Sequence, residues 1–107
     1  MDILHELYET VEGRRQEKQE GSYTCYLFEQ GIDKICKKVG EESAETIIAA
    51  KNGVSEQTVG EVSDLIYHLM VLLVAQGIPL EDVLAELERR SRKIGNLKQF
   101  KTVDRES

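Results

Sequence analysis

The segment from Ser55 to Gly77 constrains this chain more than any other, because from Leu65 to Ala75 it is apolar on nearly every face of a helix. A helix apolar all round offers no face to water and has to be covered by neighbours on every side. Ser55 is expected to cap its start, with Glu56 in the first turn, and Gly77 to end it. A chain with such an element needs other helices to pack around it.

The rest of the sequence supplies them. Ile3, Leu4, Leu7, Tyr8 and Val11 recur at helical spacing, which predicts a helix from about Asp2 to Val11 or slightly beyond. The polar stretch from Glu12 to Gly21 reads as a loop or a frayed extension. A second segment, from about Cys25 to Asn52, carries Ile32, Ile35, Cys36, Val39, Ile47 and Ala50 near one stripe. Gly31 is expected to break it early, Asp33 to cap the longer piece after the break, and Asn52-Gly53 to stop it. A last segment follows Pro79, the one proline, with Leu80, Val83, Leu84 and Leu87 as its stripe. Arg89, Arg90, Arg92 and Lys93 crowd its end, where cations suit the helix dipole. Gly95-Asn96 is expected to stop it, leaving residues 96–107 as a mobile tail. Strand signals are weak, so the expected fold is all-α: a four-helix bundle in a single domain over residues 1–107. A domain of 107 residues buries only part of its surface, and pairing into a homodimer is expected to enlarge its core.

Charge narrows the function. The net charge of −6 argues against a generic nucleic-acid binder, and 40% hydrophobic residues argue against disorder. An acidic protein binds an anionic substrate when a metal ion stands between them. Cys25 and Cys36 suggest free thiols in a reducing compartment rather than a disulfide framework. The first residues, Met1 to Glu6, lack the basic-then-apolar pattern of a signal peptide, and the run Leu69 to Ala75 is too short to span a bilayer. The expectation is a soluble, cytoplasmic protein with no membrane partner.

The chemistry-bearing residues are carboxylates. Glu41, Glu42 and Glu45 lie within about one helical turn, and Glu61 and Asp64 form a second pair three residues apart. The second pair stands at the entry to the most apolar helix, where an ionised carboxylate has to be paired or to bind a metal. A short turn at Gly53 should set the two helices antiparallel, so that Glu42 and Glu45 face Glu61 and Asp64. Oxygen-only ligands favour a hard ion, Mg²⁺ or Mn²⁺ in its place, and Mg²⁺ commonly bridges carboxylates to phosphates. The alternative is a solvated acidic face, with Lys38 paired to Glu41 or Glu42. Spacing does not choose between them.

Glu41-Glu42-x-x-Glu45 and Glu61-x-x-Asp64, separated by fifteen residues, resemble the signature of the all-α nucleotide pyrophosphohydrolases, the MazG-like superfamily. Gly21-Ser22-Tyr23-Thr24, Lys37-Lys38-Val39-Gly40-Glu41-Glu42 and Asp64-Leu65-Ile66-Tyr67-His68-Leu69 resemble the phosphoribosyl-ATP pyrophosphatase family within it. Ala49-Ala50-Lys51-Asn52 and Ile78-Pro79-Leu80-Glu81-Asp82-Val83 also fit, so the likeness covers about residues 20 to 95. The resemblance implies hydrolysis of phosphoribosyl-ATP to phosphoribosyl-AMP and pyrophosphate by a metal-activated water, in histidine biosynthesis. It matches Glu42, Glu45, Glu61 and Asp64 to metal-ligand positions and makes Glu41 a further ligand or the group that positions the water. It also implies a cytoplasmic dimer or larger oligomer, in the form separate from the cyclohydrolase of the next step.

Further candidates surround these positions. Lys38 can reach substrate phosphate, and Lys51 either contacts substrate or is a plain helix-end cation. Ser22, Tyr23 and Thr24 can bind phosphate or ribose, or can be an ordinary cap with a packing aromatic. His68 shares a face with Glu61 and Asp64 and can orient a ligand carboxylate, or can be a satisfied core histidine. Arg89, Arg90, Arg92 and Lys93 are either a rim for the phosphoribosyl group or plain helix-end cations. The rival functions are a house-cleaning nucleoside triphosphate pyrophosphohydrolase and a non-catalytic helical interaction module. A ferritin-like di-metal bundle needs Glu-x-x-His pairs, which the sequence lacks.

Overall fold

The computed structural model describes residues 2–92, and among them it contains five α-helices and no strand. They are α1 (Ile3–Gln16), α2 (Tyr23–Gln30), α3 (Ile32–Asn52), α4 (Ser55–Gln76) and α5 (Leu80–Ser91). The expected tail at 96–107, the stop at Gly95-Asn96 and Lys93 lie outside the described residues.

Each boundary has a local cause. Asp2 caps α1 by accepting from the His5 backbone N–H at 3.0 Å, and Ser22 caps α2 by accepting from that of Cys25 at 3.2 Å. The helix α1 runs to Gln16, five residues past Val11, through part of the stretch read as a loop. Arg15 explains the extension: its guanidinium donates to the Val74 carbonyl near the end of α4, which ties the polar turn to the core. Gly31 separates α2 from α3 with φ of 92°, a conformation that residues with a Cβ rarely adopt. Asp33 does not cap α3 and lies in its first turn. Nor does Ser55 cap α4: Val54 holds that position, with no side-chain cap. Gly53 ends α3 in the left-handed conformation, so α4 begins two residues later and runs back along α3.

The central element is α4. Its Met70, Val71 and Val74 join Val11, Leu27, Ile35 and Leu80 in one buried cluster, so every helix contributes to the core. At the α4–α5 turn, Tyr8 donates to the Ile78 carbonyl at 3.0 Å, and His5 bridges Asp2 and Glu81.

Coverage of α4 is less complete than its composition demands. Its most apolar 18-residue window has a mean hydropathy of 1.5, yet only 22% of that window is buried. By length and apolarity α4 meets the requirement for a membrane span, which the shorter run Leu69 to Ala75 does not reveal. The same helix carries Glu61 and Asp64 and packs against α1, α2 and α3. Nearby, Ile47, Ile48 and Val59 are each at least 60% exposed.

Candidate active site

Glu42 is the deepest charged residue among those described, 7% exposed on the inner face of α3. Glu45 follows one turn later, and Glu61 arrives from α4. One carboxylate oxygen from each of the three lies within 4.8 Å of the others. The Oε2 atoms of Glu42 and Glu61 are buried without a hydrogen-bond partner. Such orphaned acceptors are costly and need a proton or a cation. The carboxyl pKa of Glu42 is pushed up to about 7, chiefly by burial, then by a hydrogen bond with Glu45 and the charges of Glu45, Asp64 and Glu61. That of Glu61 is raised as well, first by burial and then by Glu45. Three converging acids, two with an unsatisfied inner oxygen, make an oxygen-only donor set that suits a hard divalent ion.

The sequence-derived candidates divide around this triad. Asp64 is exposed at its edge, outside the tight group, with its charge acting on Glu42 and Glu61. Glu41 lies outside the tight group, with its carboxylate 4.0 Å from the Lys38 ammonium. Lys51 is exposed in the last turn of α3. The Ser22 hydroxyl serves as the α2 cap, and the Thr24 hydroxyl pairs with that of Tyr67. His68 is buried, and it does not orient the Asp64 carboxylate. Its Nδ1 meets the Asp64 backbone carbonyl at 2.7 Å, and its Nε2 meets the Tyr23 hydroxyl at 3.0 Å. At the end of α5, Arg89 and Arg90 pair with Glu86 and Arg92 pairs with Glu88, which favours helix-end cations over a substrate rim.

Other residues were given no role by the sequence. Tyr67, three residues after Asp64, packs edge-on against His68 with ring centroids 4.9 Å apart. Beside the triad a cleft of about 360 Å³ is lined by Glu45, Ile48, Ala49, Asn52, Glu56, Gln57, Gly60, Glu61 and Asp64. Gly60 sits inside α4, where glycine costs about 1 kcal/mol relative to alanine. A Cβ there would meet nothing within 4 Å, so packing inside the chain does not explain it. A glycine in a helix interior was the available signal.

Residues 4–91 match the family model described as phosphoribosyl-ATP pyrophosphohydrolase. A phosphoribosyl-ATP pyrophosphatase of Pelotomaculum thermopropionicum is 60% identical over 92 residues, covering 86% of this chain and 94% of that protein. One from Listeria welshimeri is 51% identical over 102 residues, covering 95% and 98%. A histidine biosynthesis bifunctional protein of Caldanaerobacter subterraneus is 60% identical over 93 residues, 87% of this chain and 45% of that longer protein.

Proposed function

The chain belongs to the phosphoribosyl-ATP pyrophosphohydrolase family, and we infer that it hydrolyses phosphoribosyl-ATP to phosphoribosyl-AMP and pyrophosphate, a step of histidine biosynthesis, in the cytoplasm. Its reaction centre in this reading is the carboxylate cluster between α3 and α4. Glu42, Glu45, Glu61 and Asp64 would hold Mg²⁺, or Mn²⁺ in its place. The observation that carries this assignment is the pair of buried, partnerless oxygens on Glu42 and Glu61. When bound, the ion neutralises phosphate charge and lowers the pKa of a water in its shell.

The chain's own groups do the rest. Buried Glu42 and half-buried Glu61, each with a buried Oε2, form the inner side of the site. Glu45 and Asp64, more exposed, form its open side toward the triphosphate. Glu41, outside the triad but on the same turn of α3, orients the attacking water. Lys38, with its side chain 25% exposed beside Glu41, binds substrate phosphate and balances charge building on the leaving pyrophosphate. In this reading Lys51 binds the far phosphates, while the hydroxyls of Ser22, Tyr23 and Thr24 bond within the chain.

The same reading makes the enzyme a homodimer or larger oligomer and completes the four-helix bundle across the interface. Support comes from the poorly covered α4 and from exposed Ile47, Ile48 and Val59 on the neighbouring face. No nucleic-acid polymer or membrane takes part.

Glu45→Gln keeps the shape and removes one charge. It should fold normally and lose nearly all pyrophosphate release from phosphoribosyl-ATP; wild-type turnover would remove Glu45 from the site. Running dUTP and other triphosphates beside the substrate tests the house-cleaning alternative, which predicts preference for the free nucleotide.

A further inference from the structure

Phosphoribosyl-ATP carries phosphate at both ends: the triphosphate on one side of the purine, and the monophosphate of the added ribose on the other. The carboxylate cluster serves the first end. The arginines at the end of α5 do not serve the second, since each is bound to a glutamate. Arg15 is engaged as well, with the Val74 carbonyl. Arg14 differs: among the described arginines it is the one whose guanidinium has neither a hydrogen bond nor an ion pair.

Arg14 is half-buried on α1 and lines a cleft of about 360 Å³ with Gly21, Ser22, Thr24 and Tyr67. Exposed Glu20 is the single carboxylate in that lining, and no ion pair joins it to Arg14. The cleft also holds a spare donor. The hydroxyls of Thr24 and Tyr67 bond to each other. Such a pair uses one hydrogen, so the hydroxyl that accepts keeps its own hydrogen to give elsewhere. A phosphate monoester is rich in acceptors, and the planar fork of a guanidinium matches it with two parallel N–H bonds.

Tyr67 fixes where this cleft lies. It is three residues after Asp64, about 4.5 Å farther along α4 and on the same side of the helix. The cleft therefore reaches α4 one turn beyond the edge of the carboxylate cluster.

We propose that this cleft is the subsite for the monophosphate of the phosphoribosyl group, with Arg14 as its specificity-determining residue. This rests on the reading of phosphoribosyl-ATP as the substrate. Arg14 then separates that substrate from a plain nucleoside triphosphate, which has nothing to place in the cleft.

The test is steady-state kinetics on phosphoribosyl-ATP with the wild type, Arg14→Met and Arg14→Lys, together with product inhibition by phosphoribosyl-AMP and by AMP. Arg14→Met keeps an unbranched side chain and removes the charge. KM should rise about tenfold with kcat within about threefold, because the phosphate that Arg14 holds is not the one that reacts. Arg14→Lys, which keeps the charge and loses the fork, should fall between. Inhibition by phosphoribosyl-AMP should weaken about tenfold in Arg14→Met, while inhibition by AMP should not change. An unchanged KM in Arg14→Met, or equal weakening of both inhibitors, would overturn the subsite and leave the substrate standing. A wild type that does not hydrolyse phosphoribosyl-ATP would sink the substrate, and the subsite with it. If Arg14→Met does not fold, NMR of the guanidinium signals in the wild-type protein decides. The Arg14 Nε–H should shift with phosphoribosyl-AMP and not with AMP, and a like response to both contradicts the subsite.

Discussion

At the end of α5, Arg89 and Arg90 both pair with Glu86 and Arg92 pairs with Glu88, all in the open and along one helix. Between α3 and α4, Glu42, Glu45 and Glu61 converge without an ion pair to any basic side chain among the described residues, and Glu42 is almost out of water. The first arrangement follows the ordinary rule that charges are paired and solvated. It holds Glu86 down to about 2, through the hydrogen bonds from Arg89 and Arg90. The second breaks that rule and pushes Glu42 up to about 7. At the end of α5 each of these charges meets an opposite one, whereas the α3–α4 cluster sets like charges against one another. A violation of local pairing is a better pointer to function than charge density.

Variants in each region test this contrast. The largest effect is expected for Glu42→Gln, which removes the buried charge at constant shape. Hydrolysis should fall on the order of 10³-fold in a pyrophosphate-release assay. The same variant should melt no lower than wild type without metal, because the substitution relieves repulsion. A lower metal-free Tm would mean that the carboxylate stabilises the fold.

Next in size is the pH response of the metal-free protein. The Glu42 carboxyl titrates near 7 in the fold against 4.5 as its ordinary value, so the folded state binds the extra proton between those limits. Stability should therefore rise as pH falls from 7 toward 4.5, by up to about 3 kcal/mol from this group, and be lost as pH rises through 7. Glu61, shifted in the same direction, adds to the trend. Thermal melts at pH 5 and pH 7.5 read it directly, and a flat or opposite profile argues against the raised carboxyls.

Ile47→Asp probes the other incomplete region, the apolar face beside the cluster. If this face pairs two copies, light scattering should show an oligomer for the wild type and a monomer for the variant; the same mass for both would argue against pairing through it. The smallest effect is expected for Glu86→Gln, which breaks the α5 pairs. Turnover should be unchanged, and Tm should move by less than about 4 °C, since exposed pairs contribute little.

The helical class and the paired carboxylates were legible in the sequence because both are written in short-range spacing. Glu42 and Glu45 share a face by being three apart, and Gly53 announces the turn that brings Glu61 opposite. Contacts with no such period were not legible. The extension of α1 to Gln16 depends on Arg15 reaching Val74 across the fold. His68 shares a face with Asp64, but its bonding to the backbone carbonyl and to Tyr23 depends on where α2 lies. Asp64 was grouped equally with the others by spacing, while the structure sets it at the exposed edge. The Ser22 hydroxyl caps α2, the local one of its two readings, a bond set within its own turn.

Titration calorimetry of Mg²⁺ into the wild-type protein and into Glu42→Gln, in two buffers of different ionisation heat near pH 6.5, tests the central claim most directly. The carboxylate cluster as a metal site predicts binding to the wild type with net proton release, because the raised carboxyls surrender protons to admit the ion. It predicts binding weakened at least about tenfold in Glu42→Gln, with that release diminished. Equal binding by both proteins, or none by the wild type with or without a non-hydrolysable triphosphate, would contradict it.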